Sequence, residues 1–414
     1  MSSQNVVVIG AGIVGAASAI WLRRAGLEVT LVDRAAPGSG ASYGNACLLA
    51  RCAMVPVTVP GLLAKGPRYL LDPEFPLFLR WPYLPRLLPW LARYLGHAND
   101  RDTRRIATAL LSITGDSVDQ HKALTDGTPA AKWVRDCDYS FVYRDRAAFE
   151  ADSYAWSLRR EAGFLPEIVE GGAVREMEPI LSDEMQLLAV NKDHGFILNP
   201  EHYVQDLVAQ AEAMGAKYLQ AEVKALDMAG GRVSAVDTDL GRLPCDRVVL
   251  SAGVWSAELI RNLGLRVPLE AERGYHLLFR EPSQLPNNPM MLTEGKFVAT
   301  PMDQGLRCAG VVEFGGLSPV KSQKPLSFLR RTTRRSFPAL RYSHEEEWLG
   351  FRPSPSDSLP LIGEVRGSGV YTAFGHQHIG LTGGPKTGRL VADMIAGNWP
   401  NADVGPFDPM RFAD

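Results

Sequence analysis

No apolar run in the 414-residue sequence approaches the ~20 residues that a membrane-spanning helix needs. Cysteine is scarce: Cys47, Cys52, Cys137, Cys245 and Cys308 make five, and none form a Cys-x-x-Cys pair. An odd number without that spacing argues against a disulfide framework or a zinc site, so no metal is expected, and for reduced thiols in a cytoplasmic compartment. The net charge is only −2, which leaves no electrostatic footprint for a nucleic-acid partner. Internal repeats, low-complexity tracts, catalytic triads and paired-carboxylate signatures are all missing. No signal peptide is expected before the first strand, because a glycine turn begins at residue 10. What remains is an ordinary folded composition, 46% hydrophobic and 22% charged, in a chain long enough for two domains.

The informative stretch is the N-terminal one, residues 5 to 34. Val6 to Ile9 run into Gly10-Ala11-Gly12-Ile13-Val14-Gly15; a helical segment reaches Ala25, and a second apolar run, Val29 to Val32, ends in Asp33. Strand, glycine turn, helix, strand and terminal acid follow in the order of a dinucleotide-binding βαβ unit. Gly10 permits the turn, Gly12 lets a pyrophosphate approach the backbone, and Gly15 brings helix and strand together. The helix N-terminus offers free N–H groups to phosphate. Asp33 is placed for ribose hydroxyls and disfavours NADP, while FAD and NAD stay open on this stretch alone.

Pro37 to Ala46 form a Gly/Ser-rich loop that either touches cofactor or lies on the surface. From 55 to 96, prolines and aromatics interleave with leucines, which predicts short helical turns. There Trp81, Tyr83, Trp90 and Tyr94 alternate with Arg80, Arg86 and Arg93, a composition that fits a peripheral membrane contact or packing over the active site. Further elements expected are helices at 103–124 and 146–162, a strand at 139–143, and a helix capped by Asn199 with Pro200 at its first position. Hairpin strands should follow at 217–219, 222–228 and 233–238. A second glycine turn comes after the buried strand 248–250, at Ala252-Gly253. Antiparallel strands are expected at 269–279, 297–300 and 306–312, a basic helix near 323–336, a strand at 370–374 and a closing helix that ends at Gly397.

Three blocks, GAGIVG…VD, VVLSAGVWS and GFRPSPSDSLPLIG…GHQHIGLTGGPKTGRL, together resemble the FAD-dependent D-amino-acid oxidase superfamily, and within it the D-amino-acid dehydrogenase branch. The similarity covers nearly the whole chain. It implies an α/β (α+β) protein with a glutathione-reductase-like, Rossmann FAD domain from 1–50, 198–265 and 345–400. An antiparallel-sheet substrate domain would come from 51–197 and 266–344. The resemblance puts Gly10, Gly12, Ile13, Val14 and Gly15 at the FAD pyrophosphate, Asp33 and Arg34 at the adenosine, and Ser42 and Asn45 along the phosphate and flavin side. Val223 would meet the adenine, with Ala252, Gly253 and Trp255 nearby. Gly375, His376, Gly380, Leu381 and Thr382 would bring a loop and helix N-terminus to the flavin N1–O2 edge, where free amides stabilise the negative charge of reduced flavin.

By the same resemblance, Arg352 of Gly-x-Arg-Pro holds the substrate carboxylate, a task suited to a guanidinium fork; the alternative is a structural pair with Asp357. Tyr275 either donates to the same carboxylate or packs in the core. His376 and His378 either shape the pocket or serve the fold. The implied reaction is hydride transfer from a D-amino acid to flavin N5, leaving an imine that hydrolyses to a 2-oxo acid and ammonia, with cyclic D-prolines among the candidate substrates. Electrons would pass to a quinone or other respiratory acceptor, the enzyme being cytoplasmic or peripheral on the inner face of the cytoplasmic membrane. Oxygen as acceptor, a glycine- or sarcosine-type amine oxidase, and a non-catalytic FAD subunit are the competing readings.

Overall fold

Val6, Val7, Val8 and Ile9 are β-branched and buried on both faces, which only a central strand of a covered sheet permits. The structure is a computed structural model and describes residues 4–62, 66 and 75–413. The strand Asn5–Ile9 lies in the middle of a six-stranded sheet, ordered Leu361–Glu364, Val370–Phe374, Arg247–Leu250, Asn5–Ile9, Glu28–Asp33, Lys217–Gln220. Its pairings are parallel except the one between Leu361–Glu364 and Val370–Phe374. The helix Ile13–Arg24 covers one face and packs against the helix Gly380–Ala396. They meet at Gly388, where a Cβ would stand 2.6 Å from the Ser18 backbone nitrogen. A small sheet, Val223–Ala229, Arg232–Thr238 and Gly241–Pro244, borders this body.

The larger sheet is mostly antiparallel. Its path runs His344–Pro355, Leu269–Arg280, Gly305–Phe314, Phe297–Met302, Met290–Leu292, Val134–Tyr143, Leu187–Ile197, Leu48–Leu49. The strand His344–Pro355 pairs along its length with Leu269–Arg280, so it belongs with this sheet, whereas the boundary expected at 344/345 assigns it to the other body.

Several expected elements differ in detail. The segment 103–124 is two helices, Asp100–Thr114 and Ser117–Thr125, broken at Gly115-Asp116, and 146–162 is likewise Arg146–Ala151 and Ser153–Glu161. Within 55–96 the chain forms a helix of 13 residues, Leu84–Gly96, despite its prolines. Pro85 sits in the first turn, where its missing N–H goes unnoticed, and burial of Leu87, Trp90 and Tyr94 offsets the bond lost at Pro89. Residues 63–65 and 67–74 of that stretch lie outside the described residues. Asn199 caps its helix as expected, accepting from the His202 N–H at 3.2 Å, with Pro200 in the first turn. Among the described residues no helix is long and apolar enough to cross a membrane, and no cluster of side chains could hold a metal.

Candidate active site and cofactor cleft

A cleft of about 1760 Å³ runs between the two sheets, well beyond the ~300–1,000 Å³ typical of a drug-sized ligand. Its wall at the six-stranded sheet is built from backbone. Gly10 adopts φ +107°, and a Cβ there would lie 2.6 Å from the Ser251 carbonyl oxygen; a Cβ on Gly15 would lie 1.7 Å from the Gly10 carbonyl oxygen. These two glycines are needed by the protein itself. Gly12 differs: a Cβ there meets only the Ser42 hydroxyl, at 3.0 Å, and otherwise projects into the cleft. Gly12 has no side chain to cap the helix Ile13–Arg24, and of the first-turn amides the Ile13 N–H donates to Ser42 Oγ at 3.0 Å. A helix N-terminus that opens on the cleft beside a glycine and the Ser42 hydroxyl fits a pyrophosphate.

Asp33 accepts from the Ala11 N–H at 2.7 Å and the Ala35 N–H at 3.0 Å, which fixes its carboxylate at the strand end. Arg34 lies over the Trp255 ring at 4.1 Å, and both line the cleft with Val223, Ala252 and Gly253. Asn45 orders its own loop, donating to the Ser42 carbonyl and accepting from the Cys47 N–H. Beneath it the buried Arg307 donates to the Tyr43 and Asn45 carbonyls.

At the other end of the cleft, Gly375 takes φ +89°, with room for no Cβ against Pro355. His376 is buried and shares a hydrogen bond with Thr387 Oγ1 at 2.9 Å; burial pushes its pKa down to about 4, so the ring is neutral. His378 is exposed to the cleft. Enclosure by the surrounding protein, then the Arg352 charge, press its pKa down to about 4, and because water wets the ring the full depression needs a filled cleft. The N-terminus of the helix Gly380–Ala396 has no side-chain cap and opens on the cleft at Gly380, Leu381 and Thr382. Thr382 Oγ1 donates to the Leu48 carbonyl at 3.2 Å, which ties this helix to the larger sheet.

Arg352 enters from the larger sheet. Its guanidinium lies against Gly274, where a Cβ would be 2.8 Å from Cζ, and its Nη2 donates to the Gly310 carbonyl at 3.2 Å. Asp357 is not its partner: that carboxylate pairs with Arg411 at 2.7 Å. The rest of the Arg352 fork faces the cleft. A carboxylate could receive two parallel N–H bonds there.

Every residue expected at the site lines this cleft except Gly15 and Tyr275. Gly15 acts one layer behind, through its contact with Gly10. Tyr275 points away. On the strand Leu269–Arg280, Glu272 lines the cleft, and strand alternation puts Arg273 and Tyr275 on the opposite side from it. The Tyr275 hydroxyl donates to Glu313 at 2.6 Å and accepts from Arg273 at 3.1 Å and the Ser322 N–H at 3.2 Å. It completes a buried ion pair, Arg273–Glu313 at 2.6 Å. Its placement at the carboxylate is therefore withdrawn.

Two cleft residues had escaped notice. Trp348 lies flat over Gly44 and Gly350, where a Cβ would come within 2.0 Å and 1.9 Å of its ring, and stacks on His276 at 5.2 Å. Glu272 sits directly opposite Arg352 in register. The signals were the glycines Gly44 and Gly350 beside a large aromatic, and an acid two residues before Gly274. Neither is readable without the strand pairing.

A sequence model for FAD dependent oxidoreductases matches residues 5–394. The D-amino-acid oxidase of Bradyrhizobium diazoefficiens is 37% identical over 99% of both chains, and the D-amino acid dehydrogenase of Rhizobium johnstonii is 28% identical over 97% of this chain and 98% of its own. Among solved structures, glycine oxidase from Geobacillus kaustophilus superposes with a TM-score of 0.75 over the whole of both chains at 20% identity, a likeness of fold. A cleft with an open glycine turn at one end and an uncapped helix terminus at the other is what such a dinucleotide requires. The chain thus belongs to the FAD dependent oxidoreductase family and is an FAD enzyme.

Proposed function

We propose that the protein oxidises D-amino acids. The observation that carries this is Arg352, a guanidinium held in a cleft wall with its fork directed inward and no carboxylate of the protein paired to it among the described residues. The names of the Bradyrhizobium and Rhizobium relatives support the same reading.

Arg352 binds the α-carboxylate and so fixes the position of Cα. FAD held along this cleft would supply the two-electron oxidant that takes the Cα hydrogen as hydride. The imino acid that leaves reacts with water to give a 2-oxo acid and ammonia. No side chain of the cleft needs to act as a strong base, because an uncharged α-amine drives hydride departure with its own lone pair. His376 is neutral and adds no charge beside the flavin loop. The uncapped terminus at Gly380 to Thr382 supplies positive potential where charge develops. The glycine-turn body is the cofactor domain in this reading, and the larger sheet is the substrate domain.

For the electron acceptor we propose a quinone or another respiratory carrier. Support comes from the rim around the helix Leu84–Gly96, where Trp81 is 57% and Leu88 52% exposed beside Arg80, Arg86 and Arg93. Trp90 and Tyr94 of the same stretch are buried and belong to the core. Among the described residues of 55–96, the large hydrophobics left exposed for a peripheral membrane contact are Val57, Trp81 and Leu88.

Anaerobic mixing with a panel of D-amino acids, their L-enantiomers, glycine and sarcosine tests the reading. D-amino acids should bleach the flavin fastest. Arg352→Ala should lower kcat/KM by about 10²–10³-fold, chiefly through KM, while the protein stays yellow. Bleaching by glycine or sarcosine in preference, or unchanged kinetics in Arg352→Ala, would replace this function with the amine-oxidase alternative.

A further inference from the structure

Glu272 is 9% exposed, faces the cleft and has no role in the account above. It stands across from Arg352 on the adjoining strand, near enough for each charge to favour the other, yet the two side chains hydrogen-bond in opposite directions along the sheet. Arg352 reaches along the sheet towards Gly274 and Gly310. Glu272 leans the other way, where its Oε1 accepts from Ser354 Oγ at 2.7 Å, and Ser354 pairs with Glu270. Among the described residues no ion pair joins Glu272 to Arg352 and no donor reaches Glu272 Oε2.

Charge balance then constrains the ligand. Arg352 and Glu272 together are neutral. A substrate carboxylate on Arg352 adds one negative charge, and the reacting α-amine must be uncharged. The closed cleft would hold an uncompensated negative charge, a costly state away from water. A cation carried by the substrate restores neutrality. The divergence of the two side chains puts that cation away from the carboxylate, at the end of a side chain and not at the α-nitrogen. The cleft that both residues line has apolar stretches, with Leu87 and Leu91 among its lining, which suit a run of methylenes.

Resting on the D-amino-acid reading, we propose that Glu272 determines specificity by receiving the terminal cation of the substrate side chain, so that the preferred substrates are D-amino acids ending in an amino or guanidino group. Burial raises the carboxyl pKa of Glu272, the Arg352 charge and the Ser354 bond offset part of that rise, and a cation at Oε2 would offset more of it.

The experiment compares D-lysine with D-norleucine, which has the same chain length and no terminal charge, in the FAD-loaded enzyme and in Glu272→Gln and Glu272→Asp. Wild type should favour D-lysine in kcat/KM by at least about tenfold; Glu272→Gln should cut D-lysine turnover by about 100-fold and raise that of D-norleucine. Glu272→Asp should retain part of the preference. Binding is read separately, by titrating 6-aminohexanoate and hexanoate against the flavin absorbance. The amino acid should bind more tightly in wild type and lose that advantage in Glu272→Gln. Equal or better use of D-norleucine by wild type, or an unaltered ratio in Glu272→Gln, overturns the assignment and leaves D-amino-acid oxidation intact. If neither D-amino acid bleaches the flavin, the oxidation reading fails, and the hexanoate pair still decides the role of Glu272.

Discussion

The two walls of the cleft are made of different material. At the six-stranded sheet the working parts are main chain: glycines, amide groups and a helix end, with one fixed carboxylate, Asp33. At the larger sheet they are long charged side chains, Arg352 and Glu272 within the cleft and the Arg273–Glu313 pair behind it. Backbone surfaces suit a cofactor that never changes, because no rotamer freedom is lost on binding. Side chains on a rigid antiparallel frame suit a substrate, because exchanging one residue alters selectivity without disturbing the strand ladder.

The sharpest way to break that contrast is at the glycines. Gly15→Ala forces a Cβ within 1.7 Å of the Gly10 carbonyl oxygen, and should cost about 4 kcal/mol or more and yield little soluble yellow protein. Gly12→Ala should instead fold with a normal apoprotein melting temperature and lose FAD affinity by about tenfold or more, measured by fluorescence on titration. Equal effects of the two would mean that the turn is purely structural.

The walls should also answer pH with opposite signs. His121 and His376 are buried against the helix Gly380–Ala396, with pKa values pushed down by burial to about 4. The unfolded chain takes up protons on them below about pH 6.5 and the folded protein does not, so stability drops by about 1.4 kcal/mol per pH unit per histidine as pH falls towards 4. Glu178, which receives the Asn287 and Asn288 N–H groups behind the larger sheet, is raised by burial to about 7. Its contribution is complete below about pH 4.5 and lost as pH rises through 7. Hydrogen exchange, corrected for intrinsic rate, should show the helix Gly380–Ala396 loosening on acidification while Asn287 and Asn288 tighten. Parallel responses would count against this division.

The smallest effect is expected at Tyr275. Tyr275→Phe removes the donor to Glu313 and should cost about 1–3 kcal/mol of stability while kcat/KM shifts by less than about threefold. A large loss of activity at unchanged stability would return Tyr275 to the substrate.

The same contrast explains what the sequence could disclose. Gly10 to Gly15 and Asp33 form a contiguous pattern whose function depends on local backbone geometry, so they are legible in one dimension. Arg352 was reachable only through its Gly-x-Arg-Pro resemblance. Glu272 and Trp348 were not reachable, because their significance arises from cross-strand register, which a residue string does not specify. Tyr275 failed for a related reason. Glu272 of the same strand lines the cleft, and strand alternation turns Tyr275 to the far side, where it meets Glu313. The break at Gly115-Asp116 was missed because apolar periodicity continues through it.

The turn at Gly375 is tied mechanically to the strand that carries Arg352. The Gln377 N–H donates to the Pro353 carbonyl at 3.0 Å, and Pro355 fills the space beside Gly375. The residue next to the carboxylate anchor is thereby pinned to the residue between the two histidines of the flavin loop. On the proposed reading the pair works as a caliper, with the gap between anchor and cofactor gauged by a main-chain bond. On the proposed D-amino-acid reading, selectivity would then be tuned beyond Cα, with the span for hydride transfer held constant.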